Sequence, residues 1–135
     1  MRIDIGMRAR LRHRRDERGA SGVEFLVMAA VLIGLFSILV QFGINQYGQR
    51  VAEAAAREGA VEAARFDGTE GAGSTTAKEY LTEDGAPAVT GSTVSASRSS
   101  TQATVTVRVE VVSIMPWLDD QITSTATVPV EKFVE

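Results

Sequence analysis

The sequence predicts an α+β protein in which one long N-terminal helix, half membrane-spanning and half amphipathic, packs on a small antiparallel sheet of about three strands. Three observations carry this. Phe25 to Ile44 is a run of twenty residues without a charge. An Ala-rich stretch with helical spacing follows over residues 49–66. From about Thr93 onward the apolar period changes from 3.6 to 2, the change from helix to strand.

The chain has 135 residues, enough for about one small domain once a spanning segment is set aside. Apolar residues make up 44% and charged residues 23%, a balance that folds rather than stays disordered. Cysteine is absent, which excludes disulfides, thiol catalysis and zinc sites built on sulfur. The single histidine, His13, lies in an arginine-rich leader, so the body of the chain has no imidazole to act as general base or metal ligand. Asp119 with Asp120 and Glu83 with Asp84 are the available acids, and adjacent carboxylates of this kind read as solvated turn residues. Their spacing is not that of a calcium-binding helix-loop-helix. The expectation is a protein that is not an enzyme and carries no cofactor.

Residues 1–19 hold seven Arg against Asp4, Asp16 and Glu17, a local charge of +4 that leaves −7 on the rest of a chain whose sum is −3. A basic block followed at once by an apolar run marks the cytoplasmic flank of a span, not a nucleic-acid surface. The run FLVMAAVLIGLFSILVQFGI has only Ser37 and Gln41 as polar members. About 20 residues suffice to cross about 30 Å of hydrocarbon. A buried core helix is the alternative, but a chain this small does not readily wrap so uniform a cylinder. A cleaved secretory signal is another, but its apolar region is shorter, about 7–15 residues, and ends at a small-x-small site that is not evident here. The expected order is therefore a basic leader (1–19), a transmembrane helix (20–45), an extracytoplasmic continuation of that helix (46–66) and a small α+β domain (67–135). The N-terminus lies inside and the C-terminal domain outside the cytoplasmic membrane, with Tyr47 at the interface and Arg50 the first charge beyond it.

Gly43 and Gly48 weaken helix propensity, but glycine is common in and near spanning helices, and the helix is expected to run through them. In QRVAEAAAREGAVEAARF, Glu53 precedes Arg57 by four and Glu62 precedes Arg65 by three, pairs that support a helix. Ala52, Ala55, Ala56, Gly59, Ala63 and Phe66 fall on one charge-free face. Ala55, Gly59 and Ala63 form a small-xxx-small ridge that admits another element closely: the domain's own sheet, and, compatibly with that, neighbouring subunits. Residues 67–74 read as a Gly-rich loop without the Gly-Lys-Ser/Thr ending of a phosphate loop. Residues 75–84 read as a short helix capped by Ser74 or Thr75 and ended by Gly85 and Pro87. Ala103, Val105, Val107, Val109 and Val111 alternate with polar residues in one strand, and Ile122 to Val130 alternate in another. A weaker strand spans about Thr93–Ser97, joined by a turn at Ser99, Ser100 and Thr101. Between the two clear strands lies IMPWL, 114–118. Its Trp117 and Leu118 are a candidate apolar contact for a membrane or partner surface, or else Trp117 fills the seam between helix and sheet.

Just before the span stands ERGASGVEF, residues 17–25. A carboxylate such as Glu24 costs about 2.5–3.5 kcal/mol deep in a bilayer and less near its surface. It is either an ordinary interfacial Glu beside Arg18 or one compensated by a specific partner. Gly19, then Ala20, Ser21, Gly22 and Val23, then Glu24 and Phe25 resemble the processing motif of TadE-like prepilins of the tight-adherence (Flp, type IVc) pilus systems. Ala55-Ala56-Arg57-Glu58-Gly59-Ala60 resembles that family's segment after the span. VTVRVEVVSIMPWL followed by ITSTATVPVE resembles its terminal strand, apolar loop and last strand. The resemblance covers about residues 15–131.

It implies a pilin-like fold and a structural subunit, a minor pilin or pseudopilin. A prepilin peptidase would cut between Gly19 and Ala20 on the cytoplasmic side. The resulting ammonium would pair with Glu24, next to Phe25, of the same or a neighbouring chain. The implied partners are that peptidase, other pilins or pseudopilins, the inner-membrane assembly platform and membrane lipid, with no nucleic acid. The implied placement is a single-pass cytoplasmic membrane protein, incorporated or not in a surface pilus. Two features depart from the family: the cysteine pair frequent in relatives is absent, and the arginine leader is long. A type II secretion pseudopilin is the nearer rival, but there Phe or Met commonly follows the cut, where this chain has Ala20. The more distant rival is a membrane-anchored binding or regulatory protein that is not a pilin. Arg14 and Arg15 are not followed by the residues of a twin-arginine signal.

Overall fold

The computed structural model describes residues 4–85 and 87–132, with side chains from residue 18 onward. Helix α1 spans Asp4–Ala64, α2 Glu70–Asp84, and strands β1, β2 and β3 span Val89–Arg98, Gln102–Val111 and Gln121–Pro129. The fold is therefore α+β. The chain divides into two compact units, residues 1–39 and 40–135.

The first unit consists of helix. Its apolar side chains from Val23 to Leu39 stand largely open, as a helix meant for a non-aqueous surrounding would leave them. The stretch beginning at Arg18 is long and apolar enough to cross a membrane, and none of its most apolar window is buried within the chain. That is not the condition of a soluble core helix.

The second unit is a two-layer sandwich of helices on one face of an antiparallel sheet in the order β1-β2-β3. Strand β2 is central, and Val105, Val107, Val109 and Val111 point inward and are fully buried. Burying a valine is worth about 1.5–3 kcal/mol, so this row alone is a substantial share of a small domain's stability. The opposite sheet face is polar, with Thr104 paired to Thr127 and Thr106 to Thr125 through hydroxyls 3.1 Å apart. Ser99 holds the turn between β1 and β2. Its N–H donates to the Gln102 carbonyl at 2.8 Å, and its hydroxyl accepts from the Gln102 N–H at 3.1 Å.

The first strand is longer than the Thr93–Ser97 expected from its weak alternation. The register shifts between Val89 and Gly91, and the Thr90 hydroxyl donates to the Glu110 carbonyl at 3.2 Å. This bulge reverses the inside-outside parity, so Val89 opposite Val111 and Val94 opposite Val107 both face the core although they are five residues apart.

Helix α2 also begins earlier than expected, within residues read as a Gly-rich loop. Thr69, in extended conformation, accepts a hydrogen bond from the Ala72 N–H at 3.0 Å, and Glu70 lies in the first turn. Of the glycines that argued against a helix, Gly73 is there for packing. A Cβ on Gly73 would lie 2.6 Å from the Gly59 carbonyl oxygen, and one on Gly59 would lie 2.7 Å from that of Gly73. The two helices cross backbone to backbone at this point.

Along α1 the covered face is a double column: Gly48, Val51, Ala52, Ala55, Ala56, Gly59, Ala60, Ala63 and Ala64. Phe66 does not belong to it. The helix ends at Ala64, with the Arg65 N–H turning back to the Glu62 carbonyl and the Gly68 N–H to the Arg65 carbonyl, so the rotation of 100° per residue no longer applies. Phe66 is 62% exposed.

The crossing yields a prediction whose sign requires weighing two effects. Gly59→Ala gains up to about 1 kcal/mol of helix propensity but incurs an overpacking penalty of about 1–3 kcal/mol. It should lower the denaturation midpoint of the detergent-solubilised chain. Gly71→Ala, with only the Thr69 hydroxyl near at 3.9 Å, should leave the midpoint equal or higher.

Candidate functional site

Gly19, Ala20, Val23, Glu24 and Val27 lie along one exposed side of α1. Ala20 and Glu24 are four residues apart and therefore stack one above the other on that face, whereas Phe25 points elsewhere and is open. Residues 1–17, which make up most of the expected leader, lie outside the described side chains.

The small-residue ridge is fully occupied within the chain. Ala55, Gly59 and Ala63 receive Gly73 and Ala77 of α2 and Val105 of β2. Ala52 and Ala56 are sealed in the same core. Within the chain the domain's own elements cover this ridge. Helix and sheet are matched in size, with small residues on α1 against valines on β2, so the backbones approach closely.

Trp117 does not fill the seam between helix and sheet. It is 78% exposed, with Ile114 and Leu118 also open. The loop is nevertheless anchored. Gln41, the most deeply polar member of the apolar run and only 2% exposed, turns its side chain to the strand end. Its Oε1 accepts from the Ile114 N–H at 2.7 Å, and its Nε2 donates to the Val112 carbonyl at 3.3 Å and to Asn45 Oδ1 at 3.0 Å. A buried amide is tolerable only when satisfied in this way. Beyond the clamp, the Ser113 hydroxyl donates to the Met115 carbonyl at 2.7 Å and the Val112 N–H to the Ala88 carbonyl at 2.9 Å.

Gln41 was visible in the sequence as an amide interrupting an apolar run, a signal that it needs a partner. Arg98 gave no such signal. Its guanidinium donates to the carbonyls of Ala63, Arg65 and Gly68, satisfying the C-terminal end of α1 with a positive charge, while its N–H donates to Glu70 Oε1 at 2.9 Å. Tyr47, read as an interfacial aromatic, donates its hydroxyl to the Asp84 carbonyl at the end of α2. Asp119 accepts from the Gln121 N–H at 3.0 Å and so acts as a turn residue. Among the described residues, no group of three or more His, Cys, Asp or Glu is placed to hold a metal ion.

A family model described as TadE-like protein matches residues 19–61. This segment is TadE-like. The TadE-like stretch begins at Gly19 and includes Glu24, the apolar run, Gln41 and the packing face of α1 as far as Ala60. The sheet and its apolar loop lie beyond it. The match covers about a third of the chain, and among the described residues one helix, from Arg18, is long and apolar enough to cross a membrane. Searches of curated proteins and of solved structures matched nothing.

The clamp predicts a local phenotype. Gln41→Met keeps the size and apolar fit but leaves the Ile114 N–H and Val112 carbonyl without their partner, a loss of about 1–3 kcal/mol. Chymotryptic cleavage at Trp117 and Leu118 should accelerate severalfold in the detergent-solubilised chain. Asn45→Ala, which removes only the bond within the helix, should cut at nearly the parental rate.

Proposed function

We propose that the chain is a minor pilin or pseudopilin of a tight-adherence pilus assembly or secretion system, a structural subunit and not a catalyst. The match over residues 19–61 carries this reading, because it begins at the glycine of the processing motif and spans the apolar helix that would be packed in an assembly. On this reading the basic leader stays in the cytoplasm, a prepilin peptidase cuts between Gly19 and Ala20, and the assembly platform extracts the helix from the membrane together with other pilins. The C-terminal domain lies outside, consistent with the arginine block preceding the span.

Glu24 acts in this scheme by charge, not by chemistry. Its carboxylate is tolerable in hydrocarbon only when paired or protonated, and the ammonium freed at Ala20 is a partner whose attraction grows in low dielectric. Within one helix the two groups are about one turn apart, while a neighbouring subunit's amine approaches along the bundle without straining either helix. The pairing then fixes the axial register of each arriving subunit.

Two measurements test this. N-terminal sequencing of the membrane-extracted protein should begin at Ala20, and Gly19→Val should retain the leader and remain in the membrane; a normally matured Gly19→Val would move the cut elsewhere. Glu24→Ala should be inserted and cleaved like the parent but co-purify less with its partner pilins, with Glu24→Asp intermediate. Undiminished co-purification of Glu24→Ala would remove the carboxylate from the mechanism.

A further inference from the structure

The loop between β2 and β3 combines three properties that rarely occur together. Residues 111–118, Val-Val-Ser-Ile-Met-Pro-Trp-Leu, carry no charge. Val112, Ile114, Trp117 and Leu118 are exposed, Trp117 most of all. The loop is also held in place by hydrogen bonds rather than hanging free. An open cluster of this composition is unfavourable in water by about 25 cal/mol for each Å² that a cover would remove.

The position of the clamp indicates what covers it. Gln41 belongs to the apolar run that ends at Ile44, and three residues of helix rise only about 4.5 Å. Phe42, its neighbour in that run, is itself exposed. The apolar medium that surrounds the run therefore ends within a few ångströms of the level at which the loop is tied. A tryptophan held at that level has its ring suited to the acyl boundary and its N–H to the headgroups. Asp119 and Asp120 follow at once, and their charges keep the next turn in water.

We propose that the 112–118 loop is a lipid contact, with Trp117, Ile114 and Leu118 seated in the headgroup and upper acyl region of the leaflet from which the helix emerges. It rests on the reading of α1 as a membrane anchor. The domain is then attached to the membrane at two points, the helix and this wedge, and Gln41 is the positioning residue that sets the wedge at the correct height.

Trp117 is the only tryptophan, so intrinsic fluorescence reports on this loop alone. The full chain is reconstituted in phosphatidylcholine vesicles containing lipids brominated either near the headgroup or near the chain end. The expected result is blue-shifted emission, weak quenching by aqueous iodide, and bromine quenching at least about twofold stronger from the shallow position, as for an interfacial ring. Water-like emission open to iodide, from chain that stays with the vesicles through an alkaline carbonate wash, overturns the wedge and leaves the anchor standing. Shielded emission that ignores bromine and rises with the protein-to-lipid ratio overturns it in favour of a second copy. Loss of the chain in the wash removes the anchor and the wedge together.

Discussion

The second unit depends on how closely α1 approaches the sheet. From Gly48 to Ala64 every residue on its covered face except Val51 is glycine or alanine, while the facing strand offers four valines. A Cβ on Gly48 would lie 2.4 Å from a Val111 methyl, so even one added carbon at that point forces a shift. Small residues on the helix meet branched ones on the sheet, and the large dispersion and burial gain comes from the strand. The arrangement resolves the main difficulty of a domain this small, which has few large side chains with which to build a core.

The same constraint places α2. Gly73 lets it cross α1 at backbone contact, and the seam is closed at both ends by polar groups that satisfy helix termini. Arg98 closes one end by donating to the last carbonyls of α1, and the Tyr47 hydroxyl closes the other at the Asp84 carbonyl. The Glu131 N–H, donating to the Ala64 carbonyl at 2.9 Å, returns the chain end to the same place. Packing and capping thus converge on residues 63–68, where the long helix stops and the compact domain turns back on it.

With its small-residue face consumed by its own sheet, the domain retains other surfaces for encounters. The apolar run of the first unit is open, as suits a helix in an apolar surrounding. The polar Ser/Thr face of the sheet and the uncharged loop at Trp117 are distinct in character. Each is suited to a different medium, one to water and the other to a bilayer surface.

The sequence by itself determined the class of each long element. An uncharged run of twenty residues, an alanine stripe at helical spacing and the alternation of 103–111 and 122–130 are strong periodic signals, and they imply a helix, its continuation and two strands. Glu24 was likewise conspicuous in the segment where the TadE-like match begins, because a carboxylate at the head of an apolar run is costly enough to stand out. Tertiary structure decided what local pattern left ambiguous. Residues 70–74 read as a loop until α1 is set against Gly73, and β1 appears shorter than it is because a bulge at Thr90 breaks its parity. Phe66 follows the face arithmetic only while the helix continues, and the helix stops two residues before it. Trp117 was a side chain with two destinations. The choice lay with Gln41, seventy-three residues from its partner Ile114, since a hydrogen bond between distant segments has no period that a sequence can display.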